Sequence, residues 1–302
     1  MDHRLAASYR RCRRLHRAHG RTYFLATLLL PPRKWRHVHA LYGFARYADE
    51  IVDALDGASP RRRAARLADL AARFQAGDLT DPVLPALLDT IERFDLDRTD
   101  FDKFLRSMAQ DLTVSRYPTY ADLLGYMEGS AAVIGTMMLP VLGSPHPGAA
   151  REPARQLGLA FQLTNFIRDV TEDLARDRVY LPQEDLRRFG VTEDDLRCGV
   201  TTPPIRQLVA HEVARARRHY ALAAPGIALL TPAAQPCIRA AYRLYGGILD
   251  EIVAGGYDVL GQRATVPAGR RLRVAAGCLF ARPGRPVPLP GVAADGRTSS
   301  RV

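Results

Sequence analysis

Apolar residues recur every three or four positions along most of this 302-residue chain, and polar residues fill the positions between them. This spacing matches the turn of an α-helix, whereas the alternating Val, Ile and Thr runs typical of strands are missing. Proline and glycine divide the pattern into segments. The predicted helices span about 5–19, 23–30, 33–55, 61–75, 82–93, 99–112, 120–142, 148–176, 183–189, 193–197, 204–222, 232–254 and 267–280. The sequence therefore predicts an all-α protein.

The chain shows neither an internal repeat nor a Ser/Gly-rich linker, and 47% of its residues are hydrophobic. Because this content is ample for a substantial core, we predict one helical domain over residues 1–282. Residues 283–302 have the Pro, Gly and Arg content of a disordered tail. No export signal is expected, because the apolar run after the basic N-terminal segment is short and no small-residue cleavage site follows it. No membrane span is expected, since the most apolar later segment contains Pro140 and falls short of about 18 apolar residues.

Acidic residues lie on an otherwise apolar helix in the segment FARYADEIVDALD, which begins at Phe44. Tyr42, Arg46, Asp49 and Asp53 are spaced by four, three and four positions, which places them in one stripe along a helix. Apolar residues fill the flanks of this stripe. We therefore predict that its polar groups face the interior of the protein.

A second stripe of the same kind occurs in GLAFQLTNFIRDVTEDLARDRVYLP, which ends at Pro182. Gln162, Asn165, Asp169 and Asp173 advance by three, four and four positions, again within apolar surroundings. In both stripes two carboxylates lie one helical turn apart, about 6 Å along the axis. The sequence thus contains two matching acidic faces.

If the two stripes face each other, each pair of carboxylates about 8 Å apart repels by about 2 kcal/mol at an effective dielectric constant of about 20. Cations are needed to offset this repulsion. Carboxylate and amide oxygens favour magnesium or manganese over zinc, and magnesium commonly bridges carboxylates to substrate phosphates. The alternative is that Arg46 pairs with Asp49 and Asp173 with Arg176, which would make both stripes ordinary salt-bridged surfaces.

The net charge of +11 favours an anionic partner, such as a phosphorylated substrate, lipid headgroups or nucleic acid. Nucleic acid is the weakest of the three, because no basic stripe with aromatics and no nucleic-acid module is recognisable. HEVAR, which begins at His211, has Arg215 where a second zinc ligand would stand. The four cysteines are widely spaced, which favours a reducing compartment over a zinc site or disulfides; they are Cys12, Cys198, Cys237 and Cys278.

The two acidic motifs resemble those of the squalene and phytoene synthases, enzymes that condense two isoprenoid diphosphates head to head. ARYADEIVD is similar to the family's first aspartate-rich motif, and FQLTNFIRDVTEDLARDRVYLP is similar to its second, including the Tyr-Leu-Pro ending. The resemblance covers about residues 19–266. One departure is Glu50, where the family more often has Asp, and it lies off the Asp49/Asp53 face.

The resemblance implies a single-domain class I isoprenoid synthase helical bundle around a central cavity. It implies that magnesium ions, held by aspartates of both motifs with help from Asn165, bind the substrate diphosphates, and that Arg46 and Arg168 contact diphosphate oxygens. The four aspartates are Asp49, Asp53, Asp169 and Asp173. Tyr42 belongs to the first stripe, and Tyr126, Gln162, Tyr245 and Arg263 match positions where similar enzymes contact substrate.

Within the family, RTYFLATLLLPP, ALYGFARYADEIVD and GSAAVIGTMMLPVLG are most similar to bacterial phytoene synthases. That resemblance implies two molecules of geranylgeranyl diphosphate as substrate, phytoene as product and no need for NADPH. One alternative is squalene or dehydrosqualene synthesis from farnesyl diphosphate, since cavity depth sets chain length. A distant alternative is a non-catalytic basic helical protein that binds membranes or assembles complexes, although all four aspartates are present.

Allylic cations are quenched by water, so the expected reaction needs a dry, apolar cavity. Gly125, Gly129 and Ala132 share a face of one predicted helix, which leaves room either for a prenyl chain or for close helix packing. Phytoene is too apolar to leave into water. We therefore predict a cytoplasmic protein that contacts the inner face of the membrane through its basic N-terminal helix and the cluster of Arg270, Arg271 and Arg273.

Overall fold

A computed structural model describes residues 2–53 and 57–279 of the chain. Within these residues the regular elements are helices, and the one β-like feature is an isolated bridge between Arg116 and Val179. The α-helices are α1 (His3–His19), α2 (Arg21–Thr27), α3 (Pro32–Val52), α4 (Pro60–Ala76), α5 (Leu84–Phe94), α6 (Arg98–Gln110), α7 (Tyr120–Met127), α8 (Val133–Leu142), α9 (Pro147–Arg168), α10 (Val170–Leu174), α11 (Gln183–Phe189), α12 (Glu193–Arg197), α13 (Pro203–Ala223), α14 (Gln235–Ala254) and α15 (Ala268–Leu279). The predicted all-α class is confirmed.

Most predicted helices are found within a few residues of their expected bounds, but three of them differ. The helix predicted over 33–55 ends at Val52, with Asp53 as its C-terminal cap, and residues 54–56 lie outside the described residues. The helix predicted over 120–142 contains a π-helical turn, Glu128–Ala132, between α7 and α8. The tail predicted over 283–302 also lies outside the described residues, and the domain boundary at 282 stays a prediction.

The helix predicted over 148–176 is interrupted at Asp169, whose φ of −104° and ψ of 19° depart from helical values. The backbone hydrogen bonds nevertheless continue across the break. The amide of Asp169 donates to the carbonyl of Asn165 at 2.8 Å, and the amide of Asp173 donates to the carbonyl of Asp169 at 2.9 Å. Helix α10 therefore continues the course of α9, and the second stripe keeps its order.

Local sequence signals explain where several helices begin and end. Thr119 and Asp122 form a reciprocal capping box at the start of α7, each side chain accepting from the other residue's backbone amide. Helix α4 ends at Gly77, whose φ of 69° lies in the left-handed region that glycine enters without a Cβ penalty. These caps satisfy backbone groups that the helix ends leave without intrahelical partners.

The buried apolar residues form two clusters, which meet along the middle of the bundle. One cluster joins α1 with helices α3 to α6 and α8, and the other joins α9 to helices α11 to α14. Tyr23 and Phe161 are half-buried and pack against both clusters. The functional cavity lies where the two clusters meet.

Helix α9 is central to this arrangement, since it contacts α8, α13, α14 and the 3-10 segment Ala224–Leu229. Its close approach to the preceding helical pieces depends on glycine. A Cβ on Gly158 would collide with the carbonyl of Ala131, and one on Gly135 would collide with the carbonyl of Ala154. Two backbones therefore run side by side along one wall of the cavity. Among residues 2–53 and 57–279, no helix combines the length and the apolar character that crossing a membrane requires.

Candidate active site

A cavity of about 620 Å³ opens between the two hydrophobic clusters. Its inner part is lined by apolar residues of α3, α8, α9 and α14, such as Val38, Leu139, Ala150 and Ile238. Its mouth is formed by the C-terminal ends of α3 and α9, where both acidic stripes lie. An apolar interior with a charged mouth suits a ligand that has a hydrocarbon chain and an anionic head.

All twelve residues predicted for the site line this one cavity. They are Tyr42, Arg46, Asp49, Asp53, Tyr126, Gln162, Asn165, Arg168, Asp169, Asp173, Tyr245 and Arg263. The two stripes are more than 100 residues apart in sequence, so their meeting depends on the way α3 and α9 pack. The structure brings the predicted residues together, and their individual roles stay predictions.

In the first motif, Arg46 holds both neighbouring acids. Its Nη1 donates to Asp49 Oδ2 at 2.6 Å, and its Nε donates to Glu50 Oε1 at 3.2 Å. Glu50 does not line the cavity and also meets His19 Nε2 at 3.3 Å. The expectation that Glu50 lies off the Asp49/Asp53 face therefore agrees with the structure.

In the second motif, Asp169 is held by arginines from two directions. Arg168 Nε donates to Asp169 Oδ1 at 2.6 Å, and Arg263 Nη2 lies 2.8 Å from the same oxygen. Arg263 also pairs with Glu172 at 2.9 Å. Arg263 reaches the motif from the segment between α14 and α15, about 90 residues further along the chain.

The carboxylates at the mouth are difficult to ionise together. Burial, and then the charge of Asp53, raises the pKa of Asp49 to about 6. Burial, and then the charge of Asp169, raises the pKa of Asp173 to about 8. Burial is the larger cause of both shifts, and repulsion from the second carboxylate of the same motif adds to it.

Two arginines that the sequence reasoning did not assign to the site connect the motifs across the mouth. Arg178 Nη1 donates to Asp53 Oδ1 at 2.8 Å, and Arg176 Nη1 lies 3.2 Å from Asp53 Oδ2. Both follow the second motif and pair with the first. The sequence signal for both arginines was their position directly after the acidic residues of the second motif. The alternative pairing of Arg176 with Asp173 is not found, because Arg176 pairs with Asp53 instead.

Asp111 is a further cavity residue that no sequence motif indicated. It accepts hydrogen bonds from Tyr126 Oη at 2.7 Å and from Tyr180 Oη at 3.1 Å. Burial raises the pKa of Asp111 to about 6 despite these bonds. Asp111 therefore fixes two tyrosines at the wall of the cavity, one from α7 and one from the Tyr-Leu-Pro ending of the second motif.

The donor set at the mouth fits magnesium. Carboxylate and amide oxygens are hard ligands, and Asn165 Oδ1 is a buried acceptor with no hydrogen-bond partner among the described residues. Within residues 2–53 and 57–279, no three His, Cys, Asp or Glu side chains already converge on one metal position. The described arginines hold the carboxylates, so binding a metal requires some of these ion pairs to open.

Of the two uses left open for the face of Gly125, Gly129 and Ala132, the structure shows close helix packing at Gly129 rather than room for a prenyl chain. A Cβ on Gly129 would collide with the side chain of Ser107 in α6, and Gly125 is exposed. The π-helical turn adds a residue and rotates the helix, so another face lines the cavity. That face carries Tyr126, Ser130, Ala131, Ile134 and Met138.

An all-α bundle around a deep apolar cavity, with acidic motifs at its mouth, defines the class of helical isoprenoid synthases. The chain superposes on a dehydrosqualene synthase crystallised with a ligand, with a TM-score of 0.81 and 27% identity, covering 91% of this chain and 96% of the other. Squalene synthase HpnC from Alicyclobacillus acidocaldarius gives a TM-score of 0.74 and 28% identity, with coverage of 85% and 97%. The predicted fold is confirmed.

The model of the squalene/phytoene synthase family matches residues 16–270, and the chain belongs to this family. Phytoene synthase from Arthrospira platensis is 36% identical over 278 residues, which cover 88% of this chain and 90% of the relative. The 15-cis-phytoene synthase of Synechocystis is 38% identical over 279 residues, with coverage of 88% and 82%. The family predicted from the two acidic motifs is therefore confirmed.

Proposed function

We propose that this protein is a magnesium-dependent phytoene synthase, which condenses two molecules of geranylgeranyl diphosphate to phytoene and releases two diphosphates and two protons. The observation that carries the proposal is the meeting of both acidic motifs and five arginines at the mouth of a deep apolar cavity. The arginines are Arg46, Arg168, Arg176, Arg178 and Arg263. The similarity to phytoene synthases over most of the chain supports the same activity.

The carboxylates of both motifs, with Asn165, would hold magnesium. When bound, the metal supplies positive charge that stabilises the departing diphosphate. The arginines now paired with the carboxylates would contact diphosphate oxygens, because guanidinium groups bind phosphates in a bidentate manner. Arg178 is placed for this exchange, since its partner Asp53 belongs to the opposite motif.

The walls of the cavity would protect the carbocations of the reaction from water. Departure of the first diphosphate leaves an allylic cation, and the double bond of the second substrate attacks it. Loss of a first proton then closes the ring of a cyclopropyl diphosphate. A second ionisation, rearrangement and loss of a proton yield the central triene. Tyr23 and Tyr245 stack on the cavity wall with ring centroids 4.4 Å apart, and the ring of Phe161 packs against both at a tilt. Their ring faces suit contact with a cation.

The length of the cavity supports the longer substrate. Cavity-lining residues of α9 extend from Ala150 to Arg168, which corresponds to about 27 Å at 1.5 Å per residue. A prenyl chain extends about 5 Å per isoprene unit, so geranylgeranyl needs about 20 Å and farnesyl about 15 Å. The cavity therefore accommodates a geranylgeranyl chain along its axis. Synthesis of squalene or dehydrosqualene from farnesyl diphosphate is the competing function.

Product analysis tests the proposal directly. The purified protein is incubated with geranylgeranyl or farnesyl diphosphate, with magnesium or EDTA, and with or without NADPH. We expect phytoene from geranylgeranyl diphosphate only, dependent on magnesium and unaffected by NADPH. A hydrocarbon formed from farnesyl diphosphate alone would assign the competing function, and no hydrocarbon from either substrate would refute the enzyme.

Replacement of one motif carboxylate tests the roles of the mouth residues. We expect Asp49→Asn or Asp169→Asn to lower kcat by about 1000-fold, because each removes a charge that positions magnesium and diphosphate. The helical circular dichroism signal should persist. Asp194→Asn serves as the matched control, since Asp194 is exposed and lies away from the cavity. Full activity in either motif variant would contradict the assignment.

We further propose peripheral contact with the inner face of the cytoplasmic membrane. The product is a hydrocarbon that partitions into lipid rather than water. The exposed basic residues of α1 supply attraction to anionic lipid.

A further inference from the structure

A second concave site lies on the outer side of helix α1, away from the residues that line the candidate active site. Its volume is about 420 Å³. Three arginines of α1 line it, Arg4, Arg11 and Arg14, facing the turn before α5 that carries Leu79 and Asp81. We call this site the α1 groove.

The groove is held in shape by contacts between α1 and the start of α5. Ser8 Oγ donates to the carbonyl of Val83 at 3.1 Å and accepts from the amide of Ala86 at 3.1 Å. Asp81 Oδ1 accepts from the amides of Val83 and Leu84 at 2.7 and 3.0 Å. The arginines are spaced by seven and three positions, which places them on one side of α1. Both walls of the groove are therefore parts of the folded core.

The charge of the groove is positive and unpaired. No guanidinium nitrogen of Arg4, Arg11 or Arg14 lies within 4.0 Å of a carboxylate oxygen among residues 2–53 and 57–279. Asp81 is the one acid lining the groove, and its side chain is 1% exposed and also lies 3.6 Å from Arg73. Three guanidinium groups thus share a concave surface with one buried carboxylate. This arrangement favours a phosphate-bearing ligand.

The second basic cluster of the chain is different. In α15, Arg270 pairs with Glu251 at 2.6 Å and with Asp250 at 3.2 Å. These ion pairs neutralise part of the cluster that the sequence offered as a second lipid contact. The α1 groove is therefore the better candidate for attracting an anionic surface.

An apolar side chain at the rim of the groove indicates which class of phosphate-bearing ligand the groove binds. Leu79 is 58% exposed beside the arginines. An exposed leucine next to basic residues is suited to the boundary between lipid headgroups and acyl chains. Nucleic acid is disfavoured, because the large exposed hydrophobic residues in the described part of the chain include no aromatic on which bases would stack.

We propose that the α1 groove binds the headgroup phosphate of an anionic membrane lipid, with Leu79 entering the apolar edge of the bilayer. This docking would hold the protein at the surface that receives a hydrocarbon product. Only the benefit of this docking, delivery of the product to the membrane, rests on the proposed function. Lipid binding by the groove does not require that the enzyme turns over.

Flotation with vesicles tests the groove. The full-length protein is mixed with phosphatidylglycerol or phosphatidylcholine vesicles at low and high salt. We expect binding to phosphatidylglycerol at low salt that weakens as salt rises. The triple variant R4Q/R11Q/R14Q should bind about 100-fold more weakly, roughly fivefold for each arginine. Leu79→Ser should also weaken binding, without any change in charge.

The matched control is R10Q/R13Q/R17Q, which removes the same charge from exposed positions of the same helix that do not line the groove. It should retain most of the binding. Equal losses in both triple variants, or no binding of the wild type at low salt, would overturn the proposal. So would binding of inorganic diphosphate or of single-stranded RNA at the groove without vesicle binding.

Turnover of geranylgeranyl diphosphate in detergent separates this proposal from the proposed function. The groove variants should retain wild-type turnover, which also shows that they fold. Absence of turnover in the wild type would count against the proposed function. The conclusion about lipid binding from vesicle flotation would still stand.

Discussion

At the scale of the residue, the mouth of the cavity is a set of carboxylates, and two of them have positive partners from distant parts of the chain. Asp53 pairs with Arg176 and Arg178, and Asp169 pairs with Arg263. Before a ligand binds, these ion pairs neutralise the buried carboxylates, which would otherwise repel one another. Binding of metal and diphosphate would exchange one set of opposite charges for another, so the same residues would serve both the fold and the proposed chemistry.

A buried histidine pair gives a prediction about pH at the same scale. His39 Nδ1 lies 2.9 Å from His16 Nδ1, and burial lowers the pKa of His39 to about 4. The unfolded chain takes up the proton near pH 6.5, so this residue's contribution to stability is full above pH 6.5 and declines as pH falls toward 4. We expect His39→Gln to be less stable than the wild type at pH 7.5, with a smaller difference at pH 5.

Urea unfolding of both proteins at the two pH values measures this difference. His146→Gln is the control, because His146 is exposed in the folded protein and should follow the wild type at both pH values. The contrary result is a difference in free energy of unfolding between the wild type and His39→Gln that is the same at pH 7.5 and pH 5. That result would show that the folded protein does not exclude a proton from this pair.

At the scale of the element, the π-helical turn Glu128–Ala132 decides which face of the α7–α8 segment lines the cavity. Ser130 and Ala131 line the cavity, whereas Gly129 faces α6. A regular helix would present a different set of side chains to the ligand. Similarly, the irregular backbone at Asp169 separates α9 from α10 at the residue that meets both Arg168 and Arg263. Irregular turns therefore occur where helices contribute to the site.

Two glycines of this segment provide a matched test. A Cβ on Gly129 would lie 2.6 Å from the carbonyl oxygen of Lys103, whereas a Cβ on Gly125 meets nothing within 4 Å. We expect Gly129→Ala to lower the free energy of unfolding by about 1–3 kcal/mol through overpacking. Gly125→Ala should raise it by about 0.5–1 kcal/mol, because alanine favours the helix. Urea unfolding of both variants checks the opposite signs, and two changes of the same sign would contradict the packing.

At the scale of the whole molecule, two hydrophobic clusters enclose a cavity because each supplies only part of its wall. Helices α3 and α8 belong mainly to one cluster, and α9 and α14 contribute to the other. The charged mouth and the apolar interior are thus held at opposite ends of the same helices. The length of the cavity follows from how far α9 continues past the mouth. It therefore depends on the packing of the whole bundle.

A substitution near the inner end of α9 tests whether cavity length selects the substrate. Ala150 is 1% exposed and lines the cavity, whereas its neighbour Ala149 is exposed. We expect Ala150→Phe to lower kcat/KM for geranylgeranyl diphosphate at least about tenfold more than for farnesyl diphosphate, since one phenyl ring is worth several kcal/mol of displaced apolar contact. Ala149→Phe should leave both values near those of the wild type. An equal loss of kcat/KM for both substrates in Ala150→Phe would contradict the idea that cavity length selects the substrate.

The sequence by itself determined the helices and the two acidic stripes, because helical periodicity and the spacing of polar residues are local properties. It also indicated twelve residues that line one cavity. Eight belong to the two stripes, each ordered by the turn of its own helix, and four match positions of the family that the motifs resemble. Only the tertiary structure decided that Arg176 and Arg178 pair with Asp53, and that Asp111 holds Tyr126 and Tyr180. These pairings join distant segments, and which side chains meet depends on the packing of whole helices. The α1 groove arises in the same way, because its arginines gain a concave partner only where α1 packs against the start of α5.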